Sequence, residues 1–153
     1  MAEATARRQT AQYKKVAAGM TKHAEVVKIY YDPEVISYQT LLEVHFVTHD
    51  PTTLNRQGYD IGSRYRSAIF WHTEVQKKLI ETVIDDLANQ NVWGKPIVTQ
   101  LEPISQFFPA EEYHQQYFRK NPDLGYCQVI IAPKVAKLRK YSLQLLKTWT
   151  LLF

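Results

Sequence analysis

Strand-like and helix-like segments alternate along this chain, and that alternation restricts it to folds in which helices pack on a sheet. Residues 23–31, HAEVVKIYY, alternate side chains of β-forming type and predict a strand ended by Asp32-Pro33. Ser37 then suits the N-cap of a helix with Leu41, Leu42, Val44 and His45 as its inner stripe, stopping near His49 before Pro51. Residues 67–71, SAIFW, read as a second strand, and Thr73 as the cap of a long helix to about Gln90 with Val75, Leu79, Val83 and Leu87 facing inward. Residues 96–103 predict a third strand, residues 109–119 a short helix opened by proline and acids, and residues 125–131 irregular or weakly extended chain. A basic amphipathic helix is expected from Pro133 to about Thr148. The class that follows is mixed α/β or α+β, a sheet packed by helices.

A length of 153 residues fits one domain that can bury a core without staples. The net charge of +4 comes from clusters near both ends, such as Arg7, Arg8, Lys134, Lys137 and Lys140. Such balance reads as solvated surface, and no nucleic-acid or membrane partner is expected; salt-dependent binding to DNA or RNA would be needed to revive that reading. Residues 1–12 have no apolar run, so neither a secretory signal nor a membrane span is expected there. The one cysteine, Cys127, permits no internal disulfide, which points to a reducing, cytoplasmic setting.

Candidate chemistry gathers around the long polar stretch 50–67, DPTTLNRQGYDIGSRYRS, since irregular loops within compact domains often carry function. Asp60 sits between Gly58 and Gly62, and reads as a loop-turn aspartate. By themselves Tyr65 and Tyr13 read as packing residues, and Glu25 as a strand-edge carboxylate. Alone, Cys127 reads as an inert thiol. His45 and His49 lie four apart without the glutamate of a zinc-binding helix, so no metal is expected.

The stretch GMTKHAEVVKIYYDPEVISYQTLLEVHFVTHDPTTLNRQGYDIGSRYRSAIFWH, residues 19–72, closely resembles the methionine sulfoxide reductase A family. QFFPAEEYHQQYFRKNPDLGYC, residues 106–127, and IAPKVAKLRK, residues 131–140, are similar to its C-terminal part, so the match runs from Tyr13 to about Lys140. The resemblance implies an α/β roll of ferredoxin-like sandwich type and reduction of methionine S-sulfoxide, free or in a protein, with thioredoxin or a dithiol as electron donor and no cofactor. It implies Glu25 as the acid that protonates the departing oxygen, Tyr13 and Tyr65 as hydrogen-bond donors to that oxygen, and Cys127 as a resolving-type cysteine. Asp60 and His23 are implied as substrate-binding residues, while a further cysteine position frequent in the family is Ala17 here.

The family's nucleophile lies in a Gly-Cys-Phe-Trp motif, and none occurs in this sequence. The resemblance therefore implies a truncated domain over 13–153 behind a divergent leader at 1–12, lacking the family's N-terminal strand and nucleophile helix. A peptide-methionine (S)-S-oxide reductase impaired for want of its thiolate is expected. The alternative is a non-catalytic sulfoxide-binding or interaction remnant.

Overall fold

The computed structural model describes residues 2–3 and 23–141. Tyr13, Ala17, most of the leader and the expected helix beyond Tyr141 lie outside the described residues. The α+β class holds: the helices α1 (Tyr38–Thr48), α2 (Glu74–Asn89), α3 (Tyr117–Lys120) and α4 (Ala132–Tyr141) accompany short strands.

The central unit is a strand–helix–strand crossover. β5 (Ala68–Trp71) runs parallel to β6 (Gln100–Pro103), pairing Ala68 with Gln100 and Trp71 with Pro103, and α2 makes the connection. The core lies where α1 and α2 meet this pair: Leu42, Phe46, Ile80 and Val83 are buried, with Ile69, Trp71, Leu87, Trp93 and Leu101 packed around them. Phe46 takes the inner place expected for Val44 and His45, and Val75 is 78% exposed instead of facing inward. Val75 occupies the first turn of α2, one turn before the helix reaches the core at Leu79 and Ile80.

Both expected N-caps form. Thr73 accepts from the Gln76 N–H at 3.2 Å, and Ser37 accepts from the Thr40 N–H at 3.1 Å. A Ser37→Ala variant is expected to lose about 1 kcal/mol of stability, read as a lowered urea midpoint with unchanged slope.

The other segments depart from expectation in informative ways. Of residues 23–31 only β2 (Ala24–Glu25) is laddered. It pairs antiparallel with β1 (Ala2–Glu3), which also pairs with β7 (Phe107–Phe108). Beyond Glu25 the chain has no ladder partner among the described residues, and Val27, Ile29 and Tyr30 stand exposed. Strand propensity reflects packing against neighbours, and without a neighbour the alternating pattern forms no sheet. The loop 50–67 contains a small hairpin, β3 (Arg56–Gln57) with β4 (Asp60–Ile61), followed by a 3₁₀ turn at Ser63–Tyr65. Residues 109–119 do not form one helix: a 3₁₀ turn at Glu112–His114 and α3 are separated by Gln116, which is left-handed at φ 53°. Residues 127–131 are neither irregular nor extended but a π-helix, Cys127–Ile131, leading into α4.

Candidate functional site

One groove of about 740 Å³ runs between the chain after β2, helix α1, strand β5 and the loop 50–67. Glu25, Asp60 and Tyr65, three of the residues singled out from sequence, line it together with Arg66 and Tyr126.

The loop that carries Asp60 and Tyr65 is shaped by its own polar groups. The Asp50 N–H donates to the Gln57 amide oxygen at 3.0 Å, and the Gln57 amide N–H returns to the Asp50 carbonyl at 3.2 Å. Asp50 also accepts from both the backbone and the hydroxyl of Thr52, which holds its carboxyl below the usual range. Pro51 is fully buried and its carbonyl accepts from the Val98 N–H at 2.8 Å, so the base of the loop is fixed to the chain entering β6. Gly58 at φ 61° makes the hairpin turn that returns the chain to Asp60, a conformation that glycine adopts without strain.

Glu25 projects from the end of β2 with its side chain 30% exposed. Burial raises its pKa, and Arg64 opposes that shift only in part. Glu25 Oε1 lies 3.6 Å from Arg64 Nε, within ion-pair range but too long for a hydrogen bond. The same guanidinium stacks over the Tyr65 ring at 4.4 Å. Arg64 therefore bridges the acid and the phenol, a role that sequence reading missed because Arg64 is one of several arginines in a polar loop.

Tyr126 was missed as well. Its hydroxyl donates to Asp60 Oδ2 at 3.1 Å. Burial first, and then the Asp60 charge, push its pKa up to about 12, so the phenol keeps its proton. It stands 66 positions from Asp60, and only its place in the GYC motif beside Cys127 offered a signal.

The remaining predicted residues fall elsewhere. Cys127 is 0% exposed and is not among the groove-lining residues. His23 is buried, its ring centroid 5.9 Å from that of Phe108, and it does not line the groove either. Burial, then the charge of Arg66, lower its pKa. Tyr13 lies outside the described residues.

The α1 wall carries a neutral histidine pair. The rings of His45 and His49 lie tilted by 37° to one another with centroids 3.9 Å apart. His49 Nδ1 lies 2.6 Å from the His45 carbonyl, which can only accept, so Nδ1 bears the proton. Nε2 of the neutral ring then accepts from the Ser67 hydroxyl at 2.8 Å, and Ser67 accepts from Thr99 at 2.8 Å. Burial, reinforced by His49, lowers the His45 pKa to about 3. Burial lowers that of His49 as well, against the pull of the His45 carbonyl. Among the described residues no three histidine, cysteine or acidic side chains converge as a metal site. No described helix is long and apolar enough to cross a membrane.

The arrangement can protonate and hydrogen-bond a polar group that enters the groove, through a carboxyl of raised pKa and neighbouring phenols. The sequence pattern of the family described as peptide methionine sulfoxide reductase matches residues 4–145. The peptide methionine sulfoxide reductase MsrA of Deinococcus radiodurans is 52% identical over 129 residues, 84% of this chain and 63% of that protein. The protein of the same name from Pseudarthrobacter chlorophenolicus is 52% identical over 129 residues, 73% of its length. The chain thus spans less than two thirds of the first of these relatives and less than three quarters of the second. The crystal structure of reduced Mxr1 from Saccharomyces cerevisiae superposes with a TM-score of 0.76 at 39% identity, covering 82% of this chain and 72% of that one. On a pattern that spans almost its whole length and on relatives identical at half of the aligned positions, the chain belongs to the peptide methionine sulfoxide reductase family.

Proposed function

We propose that the groove binds the sulfoxide group of methionine S-sulfoxide, free or within a protein, and that Glu25 supplies the proton for its oxygen. The observation that carries this reading is a half-buried Glu25 of raised pKa on the same groove wall system as Asp60, Tyr65 and Tyr126. The Tyr65 phenol polarises the sulfur–oxygen bond without bringing charge, with Tyr13 as the second donor. Asp60 shapes the groove, and Arg64 holds the Glu25 carboxyl toward Tyr65.

Reduction of a sulfoxide needs two electrons and two protons. A thiolate attacks sulfur and takes the oxygen as a sulfenic acid while methionine leaves; a second thiol then displaces that oxygen as water, closing a disulfide that thioredoxin or a small dithiol reopens. The sequence carries one cysteine, which is buried and does not line the groove. A reacting thiolate must come within about 3–3.5 Å of the sulfur. We therefore assign residues 13–153 to a sulfoxide-recognising domain that is catalytically impaired by itself, to whose sheet Ala2–Glu3 adds a strand, and we place it in the cytoplasm. The burial of Cys127 favours a second reading, a sulfoxide-binding protein without turnover.

Calorimetry with a methionine S-sulfoxide peptide tests the binding step. Affinity is expected to be highest where Glu25 is protonated and to fall by about tenfold per pH unit above its raised pKa, because the bound state retains a proton that the free groove has lost. Glu25→Gln, whose amide donates at every pH, is expected to flatten that profile. Equal affinity for the peptide with unoxidised methionine would sink the assignment.

A further inference from the structure

We propose that Tyr126 is the latch of the segment that carries Cys127: its hydrogen bond to Asp60 docks residues 121–131 on the groove wall and keeps the thiol out of solvent. Among the described residues, the Tyr126–Asp60 bond is the one hydrogen bond that joins 121–131 to the chain before Phe107. The other bonds of the segment are internal to its own region. Asn121 donates to the Tyr117 carbonyl, Gln128 to that of Pro122, and the Leu124 and Gln128 N–H groups to Asn121 and Leu124.

The two ends of the latch differ in rigidity. Asp60 stands on β4, in a hairpin whose other strand is clamped to Asp50 through Gln57. Tyr126 opens a π-helix, with the Ala132 N–H bonded to the Cys127 carbonyl five residues back. That geometry is rare and is concentrated at functional sites. Its residues include Val129, Ile130 and Ile131, whose branched side chains favour helix poorly. The shape of this stretch is therefore set by its anchors, and Tyr126, itself half exposed, is the polar one. Local opening of such a segment requires far less than global unfolding.

Cys127 is the sole thiol, so its reaction with an aromatic disulfide reagent under native conditions reports the opening directly. Tyr126→Phe removes only the hydroxyl. It is expected to raise the modification rate about fivefold to tenfold, the factor that one partly exposed hydrogen bond sustains. Asp60→Ala is expected to match it, and the double variant to react no faster than either single one. Melting temperatures should fall by no more than about 6 °C from the parent, which separates local release from loss of the fold. A Tyr126→Phe rate within twofold of the parent, or single effects that multiply in the double variant, would overturn the latch. The assay contains no sulfoxide, so failure of the latch and failure of sulfoxide binding in the groove are distinguishable.

Discussion

Given dithiothreitol and a methionine S-sulfoxide peptide, the purified chain is expected to reduce the peptide no more than about tenfold faster than buffer does, against accelerations of about a millionfold or more for enzymes at large. The reason is electronic. Glu25 and Tyr65 supply protons and polarisation, but neither donates an electron pair to sulfur. Cys127 is the only group in the sequence with the chemistry to do so, and it is fully buried outside the groove. Product formation followed by mass spectrometry decides the matter. Robust turnover that disappears in Cys127→Ser would show that Cys127 reaches the groove and would make it the nucleophile. Turnover unaffected by that substitution would point to direct reduction of a bound sulfoxide by the external thiol.

The second large effect is acid lability. His45 binds its proton at about 3 in the fold against an ordinary value of 6.5, so the native ring is neutral where the unfolded one is charged. The stability this represents is fully present above pH 6.5 and drains away as pH falls toward 3. Its total is on the order of 4–5 kcal/mol, with a slope of about 1.4 kcal/mol per pH unit. His49 acts in the same direction, and Lys134, which faces it from α4, adds to the cost of charging it, while Asp50 opposes. Since a whole domain is stable by only about 5–15 kcal/mol, the chain is expected to unfold cooperatively in mild acid. Thermal melts from pH 7 to pH 4 should show a steep decline. A His45→Phe variant, which cannot be protonated, should decline less steeply. A melting temperature that stays level over that range would refute the neutral pair.

What could be read from the sequence was whatever depends on near neighbours. Ser37 and Thr73 cap their helices because a hydroxyl reaches an N–H three residues on, a relation internal to the segment. Glu25, Asp60 and Tyr65 were legible through the family resemblance, and they do meet in one groove. The misreadings share a dependence on distant partners. Residues 26–31 have the pattern of a strand, yet a strand exists only beside another. Residues 127–131 look extended by their branched side chains, yet they are drawn into a π-helix that joins α4, which packs against α1. Gln116 breaks an expected helix by adopting a left-handed conformation that its own preference does not foretell. Tyr126 could not be found locally, since its significance lies in an aspartate on a hairpin far up the chain.

The clamp between Asp50 and Gln57 has a consequence for how such a groove can change. The hairpin bearing Asp60 is tied off at its own base, so its form does not rely on whatever occupies the opposite side of the depression. A module of that kind can tolerate remodelling across from it, by mutation or by a different companion segment, while still delivering the same carboxylate to the same spot. Its tip, where Tyr59 is 83% exposed, is the natural place to attach a reporter that leaves the recognising face undisturbed.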